Sequence, residues 1–175
     1  MTWKSFHRRG EVLRSVIAAA NERRDGVLPW DLDGVAETFD DELALLAALQ
    51  LQWHTRLAGR IERELMTQPM DLEAAVIVAW RDLADEQPGV LAVLDHYRAH
   101  PTDDAMAEAM AKSTEKEHIL LAMMAGRSSA MDAAAARVGA LIESQARALP
   151  PAPQSVAAAA ANHGLLERIK AVLAA

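Results

Sequence analysis

The apolar residues of this chain recur every three to four positions in long runs, and turn-forming residues separate the runs. In the longest run, Leu46, Leu49, Trp53 and Leu57 share one face of a helix. A second apolar stripe, which includes Leu51, lies beside the first, so this helix is expected to pack against at least two neighbours. Long alternation of β-branched residues is missing. We therefore predict an all-α fold, a single-domain bundle of six to seven helices with mostly antiparallel neighbours.

Proline, glycine and capping residues divide the chain into seven predicted helical segments. The predicted segments are 5–24, 39–66, 72–84, 90–99, a fifth from a cap at Thr102 or Asp103 to 125, 130–148 with a cap at Ser128 or Ser129, and 156–174. Residues 1–149 are expected to form the helical core. Residues 150–155 are a proline-rich linker, since clustered prolines exclude helix. Residues 156–175 are expected to dock as a C-terminal helix on the core or on a partner subunit.

Charge and composition limit the partners and the compartment. The formal net charge is −7, which disfavours a nucleic-acid partner because phosphate binding depends on cationic side chains. The chain has no cysteine, so disulfides and thiolate metal sites are excluded. The most apolar stretch, 72–80, is about half as long as a membrane-spanning helix requires. We expect a soluble, cytoplasmic protein with no membrane or nucleic-acid partner.

Two histidine patterns suggest metal sites. Glu115 and His118 stand three residues apart, a spacing that resembles half of the di-metal motif of ferritin-like bundles; the alternative is a surface ion pair. His96 and His100 lie one helical turn apart, and with His54 they resemble the three-histidine arrangement of DinB-like bundles, which implies a bound metal. The alternative for His100 is a favourable position at a helix C-terminus.

The connector between the first two segments resembles a calcium-binding EF-hand loop. It contains Asp31, Asp33 and Gly34, and Asp40 and Glu42 follow. Each possible register satisfies only half of the ligand positions, and helix capping explains the same aspartates more simply.

Two polar residues lie on stripes that are otherwise apolar. His54 is in the middle of the second segment, and Glu117 shares a stripe with Met106, Met110 and Met124. A buried carboxylate must be paired, protonated or ligated, because an isolated charge is costly in an apolar interior. We therefore expect a hydrogen bond between His54 and Glu117 if their helices pack together. Such a contact specifies a core more often than it performs catalysis.

The sequence has no complete catalytic or nucleotide-binding motif, so we expect a protein that is not an enzyme and has no cofactor. The leading hypothesis is an interaction or regulatory protein with a protein partner, which forms a homodimer through apolar helix faces. The alternative is a metal- or small-ligand-binding bundle in which His54, Glu117 and His118 bind the ligand. A DNA-binding regulator is third, because no helix-turn-helix signature follows the first segment.

Overall fold

The computed structural model describes residues 3–67 and 70–149, and these residues contain six helices and no strand. The helices are α1 (Trp3–Arg23), α2 (Glu42–Thr67), α3 (Leu72–Glu86), α4 (Pro88–Ala99), α5 (Asp104–Met124) and α6 (Ala133–Ala148). They pack together as a bundle, so the prediction of an all-α fold is confirmed. The predicted linker 150–155 and the predicted helix 156–174 lie outside the described residues.

Side-chain caps fix the beginnings of several helices. The Asp71 carboxylate accepts a hydrogen bond from the Ala74 amide at the start of α3, and Asp103 does the same for Met106 in α5. Each cap satisfies a backbone amide that has no partner within the first helical turn. Beyond the end of α5, Gly126 has a φ of 68°, a left-handed conformation that glycine adopts without steric penalty.

Several helix boundaries differ from the prediction by up to three residues, among them the first residues of α2, α4 and α6. α2 begins at Glu42 rather than at residue 39, because the Asp41 carboxylate caps the Ala44 amide at 2.7 Å. α6 begins at Ala133 rather than at residue 130, because Asp132 is the cap and accepts from two amides of the first turn. α4 begins two residues early, at Pro88, since proline fits the first turn of a helix.

The core lies between α2, α3 and the helices around them. The predicted stripe of α2 is buried, with Trp53 and Leu57 at 1% and 0% exposure. The Trp53 and Trp80 rings meet edge to face with centroids 6.2 Å apart. The expectation that the second stripe of α2 is buried was wrong at Leu51, which is 68% exposed. None of the described helices has the length and apolar character needed to cross a membrane.

The helices pack in a pattern that brings α5 into contact with four others. α5 lies closest to α6 and also contacts α2, α3 and α4, while α1 packs mainly on α4. The α5–α6 contact is close enough that a Cβ atom at Gly139 would lie 1.8 Å from the His118 carbonyl oxygen. α5 therefore places its polar residues between several neighbouring helices.

Candidate functional site

The first polar cluster of the core surrounds the buried carboxylate of Glu117. His54 Nε2 on α2 lies 3.0 Å from Glu117 Oε2, and Trp80 Nε1 on α3 donates to Glu117 Oε1 at 3.1 Å. Glu117 is 4% exposed, whereas the His54 side chain is 24% exposed. We call these three residues the Glu117 cluster. The contact expected between His54 and Glu117 is present, and each carboxylate oxygen has a donor.

The hydrogen bonds of this cluster stabilise the charged form of Glu117. Burial alone raises the pKa of a carboxyl group, because an apolar environment disfavours the charge. The hydrogen bonds from His54 and Trp80, with the attraction to His54, outweigh this effect and lower the pKa of Glu117 below its ordinary value. Glu117 is therefore an acceptor of hydrogen bonds at neutral pH.

The second polar cluster surrounds Glu143 on α6, and it includes the predicted site residue His118. His118 Nε2 donates to Glu143 Oε2 at 2.6 Å. The other carboxylate oxygen, Oε1, accepts from Arg98 Nη1 at 3.1 Å and from Arg147 Nε at 2.8 Å. Arg147 also forms a two-bond ion pair with Asp95 on α4. We call Asp95, Arg98, His118, Glu143 and Arg147 the Glu143 cluster.

The hydrogen-bond partners of Glu143 strongly lower the pKa of its carboxyl group. Burial raises the pKa of this carboxyl group, but the His118 hydrogen bond and the two arginines outweigh it, so the pKa falls to about 2. The Glu143 side chain is 7% exposed. A carboxylate this well shielded and this fully paired holds α4, α5 and α6 together at neutral pH.

Trp80 connects the two clusters. Its indole nitrogen donates to Glu117, and the Arg147 guanidinium lies over its ring, 4.9 Å from the centroid. A cation above an indole face is attracted by the electron density of the ring. The two carboxylates thus belong to one polar network that runs through five helices of the bundle.

The structure brings two of the three predicted site residues together, and the third has a different partner. His54 and Glu117 bind each other, while His118 points about 100° away from Glu117 around α5 and binds Glu143. Sequence reasoning missed Glu143, Trp80 and Arg147. One signal for Glu143 was available, since it follows Gly139 by four residues and precedes Ala146 by three on the face of α6 that faces the core.

The metal patterns of the sequence are not assembled in the described structure. Across residues 3–67 and 70–149, no three His, Asp or Glu side chains lie close enough together to hold a metal ion. His118 binds Glu143 in place of Glu115, and the rings of His96 and His100 lie 5.3 Å apart between centroids. In the connector, Asp31 forms a two-bond ion pair with Arg23. Thus one residue of each of the ferritin-like, DinB-like and EF-hand patterns, namely His118, His54 and Asp31, binds a partner outside its pattern.

Two hollows of the described surface are lined mainly by apolar atoms. One is a groove of about 540 Å³ between α1 and α2, which we call the α1/α2 groove; its lining residues are Arg9, Gly10, Leu13, Ala44, Ala47, Ala48, Leu51 and Gln52. The other is a cavity of about 430 Å³ between α4, α5 and α6, which we call the α4/α5/α6 cavity. His118 lines this cavity, whereas neither His54 nor Glu117 does.

The carboxylate oxygens of the polar network already have hydrogen-bond donors from the protein. Both oxygens of Glu117 and both oxygens of Glu143 accept hydrogen bonds from protein donors. A general base needs a lone pair that can reach a substrate proton, and these oxygens are shielded and already engaged.

Comparison with protein-family models, with curated proteins and with solved structures finds no significant match for this chain.

Proposed function

We propose that this chain is a non-enzymatic interaction protein that associates with a second copy of itself through the α1/α2 groove. The observation that carries the proposal is the exposure of Leu51 beside an apolar hollow. Leu51 is 68% exposed, and the walls next to it are formed by Leu13 and three alanines. A partner that covers both the exposed leucine and the apolar groove beside it removes apolar surface from water, which lowers the free energy of the complex.

The shape of this surface favours a second copy as the occupant. The same patch carries a protruding apolar side chain and an apolar hollow, so two copies related by a twofold axis can each insert Leu51 into the groove of the other. A twofold interface requires a patch that is complementary to itself. A patch with both a projection and a hollow satisfies that requirement.

The charged residue at the edge of the groove is compatible with such an interface. The Arg9 guanidinium lies 4.3 Å from the centroid of the Phe39 ring and donates to the Thr38 carbonyl at 3.2 Å. Its charge is thus held against its own subunit. Gln52, the other polar residue at the groove, brings no charge into the interface.

The contacts of the half-buried His54 and His118 support a structural rather than a catalytic role for the core. Each is bound to a shielded carboxylate, and buried polar contacts of this kind specify how helices pack. We accordingly propose that the surface binds the partner and that the polar network stabilises the fold.

Sedimentation velocity of the full chain between about 1 and about 100 µM tests the proposal, because association follows mass action. We expect a dimer that dissociates on dilution. Leu51→Glu should give a monomer, because it places a charge in the proposed interface. Its helical circular dichroism should be unchanged, because residue 51 is exposed to solvent in the isolated subunit. The matched control is Leu141→Glu on α6, where the leucine is 65% exposed; this variant should still dimerise. A monomeric wild type refutes self-association, and dimerisation of Leu51→Glu refutes this interface.

A further inference from the structure

The α4/α5/α6 cavity is an open hollow whose lining is almost wholly apolar. Its apolar lining residues are Pro101, Ala107, Met110, Ala111, Ala136 and Ala140. The alanine side chains end at Cβ, which leaves a shallow groove between α5 and α6. Leu141, one turn after Arg137 of the lining, is 65% exposed. An apolar helix face that covered this surface would remove it from water, which lowers the free energy.

The chain itself contains a segment that matches this surface in length and character. On α5 the lining extends from Ala107 to His118, a distance of about 16 Å at 1.5 Å per residue. The predicted helix 156–174, which we call the C-terminal segment, has an apolar face that is about 12 Å long. The residues of this face are Leu165, Leu166, Ile169, Val172 and Leu173.

The charged residues of the C-terminal segment lie outside its apolar face. At about 100° per residue, Glu167 is on the opposite side of the predicted helix, and Arg168 and Lys170 flank the face. Long cationic side chains in such flanking positions keep their charges in water while their carbon stems cover apolar surface. The C-terminal segment can therefore cover the cavity without burying a charge.

The position of the end of α6 makes this cavity accessible to the C-terminal segment. α6 ends at Ala148, and Ala140 lines the cavity about 12 Å back along the same helix. The predicted linker 150–155 spans up to about 20 Å when it is fully extended, so it can return the chain to the cavity.

Two other hollows of the described surface lie farther from the end of α6. Within the described ranges, neither α1 nor α2 packs against α6, so the α1/α2 groove is on another part of the bundle. The hollow at Leu72 and Arg127 includes the turn that precedes α6, and α6 itself is about 24 Å long. The length of the linker therefore favours the α4/α5/α6 cavity.

We propose that the C-terminal segment docks as a helix in the α4/α5/α6 cavity of its own chain, with Ile169 at the centre of the contact. The pattern of the sequence leaves a partner subunit open as the alternative, and the short linker favours the same chain. A short linker gives an effective concentration of the order of 1 mM, so a Kd of about 0.1 mM for the contact favours the docked form about tenfold. This docking does not depend on self-association, because the groove and the cavity are separate surfaces.

Trypsin cleavage of the full chain measures this docking, because Arg168 and Lys170 are cleavage sites within the C-terminal segment. Ala111→Asp places a charge on the exposed floor of the cavity, so cleavage after these two residues should become about tenfold faster. The matched control is Lys116→Asp, at an exposed position on the opposite side of α5, which should be cleaved there at the wild-type rate. Both variants should keep the helical circular dichroism of the wild type.

The outcomes separate this docking from self-association. Equal rates for the wild type and Ala111→Asp, or equal rates for Ala111→Asp and Lys116→Asp, overturn the proposal. Protection that rises with protein concentration also overturns it, because docking within one chain does not follow mass action. Leu51→Glu should leave the wild-type rate unchanged even where it abolishes the dimer.

A spin label on the C-terminal segment locates the contact. The chain has no cysteine, so Ala171→Cys, on the side of the predicted helix away from Ile169, carries a single nitroxide. In the ¹⁵N-labelled full chain, the label should broaden the amide signals of Ala111 and Ala140 more than that of Leu51. A mixture of unlabelled spin-labelled chains with ¹⁵N-labelled chains that lack the nitroxide should show no broadening at the cavity. Broadening there in the mixture, or none there in the single chain, overturns docking of the segment on its own chain.

Discussion

Replacing Gly139 with alanine should destabilise the protein, although the same change usually stabilises a helix. Alanine is favoured over glycine within a helix by about 0.8–1.0 kcal/mol. At Gly139, however, the new Cβ would lie 1.8 Å from the carbonyl oxygen of His118, and ordinary van der Waals contact begins at 3.4 Å. The backbones of α5 and α6 would have to move apart by about 1.6 Å to accept the methyl group.

The cost of that movement exceeds the gain in helix propensity. Overpacking a core usually costs about 1–3 kcal/mol, and the upper end applies here because the obstacle is a backbone atom, which no side-chain rotation can relieve. Separation at His118 also draws its ring away from Glu143, a contact of 2.6 Å. Because about 1 kcal/mol of helix propensity offsets a packing cost of about 3 kcal/mol, we expect Gly139→Ala to lower the free energy of unfolding by about 2 kcal/mol.

Urea unfolding followed by far-ultraviolet circular dichroism measures this change. The matched control is Gly59→Ala on α2, where nothing lies within 4 Å of the added Cβ; it should stabilise the protein by about 0.5–1 kcal/mol. The two variants make the same chemical change within a helix. Opposite signs of their effects on the free energy of unfolding would therefore be due to the close packing of α5 on α6 at Gly139. A Gly139→Ala protein as stable as Gly59→Ala would refute the close approach of these helices.

Three further predictions concern the polar network and a helix cap, and urea unfolding tests each of them. The Glu143 pKa is about 2 in the folded protein against an ordinary 4.5, so its ionisation contributes up to about 3 kcal/mol above roughly pH 5. This contribution is lost as the pH falls towards 2. Glu143→Gln should be less stable than the wild type at pH 7, and its free energy of unfolding should fall less steeply between about pH 5 and pH 2. His54→Ala should cost about 1–3 kcal/mol, because Glu117 then keeps only Trp80 as a donor; His96→Ala, at an exposed position, should cost less than about 0.5 kcal/mol. Asp132→Ala should cost about 1 kcal/mol through loss of the α6 cap, whereas Ser129→Ala should be neutral if Asp132 alone begins the helix.

The sequence predicted the helices well because their periodicity and their caps are local properties. The position of Asp71 or Asp103 within four residues of an apolar run determines where a helix begins. The start of α6 was placed three residues early because Ser129 and Asp132 are both acceptable caps. Only the observed hydrogen bonds from the Ala134 and Ala135 amides decide between them.

The polar network was only half predictable, since its contacts depend on which helices meet. Glu117 lies on an apolar stripe, which indicates burial and therefore a partner, and His54 was a suitable candidate. The separation of His118 from that pair follows from helix geometry, because adjacent residues point about 100° apart. Its partner Glu143 is 25 residues away in sequence, and no local pattern specifies the packing of α6 on α5.

The adjacent pair Glu117 and His118 explains how one helix determines the arrangement of its neighbours. Glu117 binds residues of α2 and α3, whereas His118 binds α6, so both contacts depend on the same axial position of α5. A slide of one turn, about 5.4 Å, would break both contacts, because Glu117 would lose His54 and Trp80 and Glu143 Oε2 would lose His118. Apolar side chains alone tolerate such slides better, because apolar contacts have no direction. The network thus selects one packing of the bundle, and that packing gives the α4/α5/α6 cavity its shape by fixing Arg98 and His118 against Glu143.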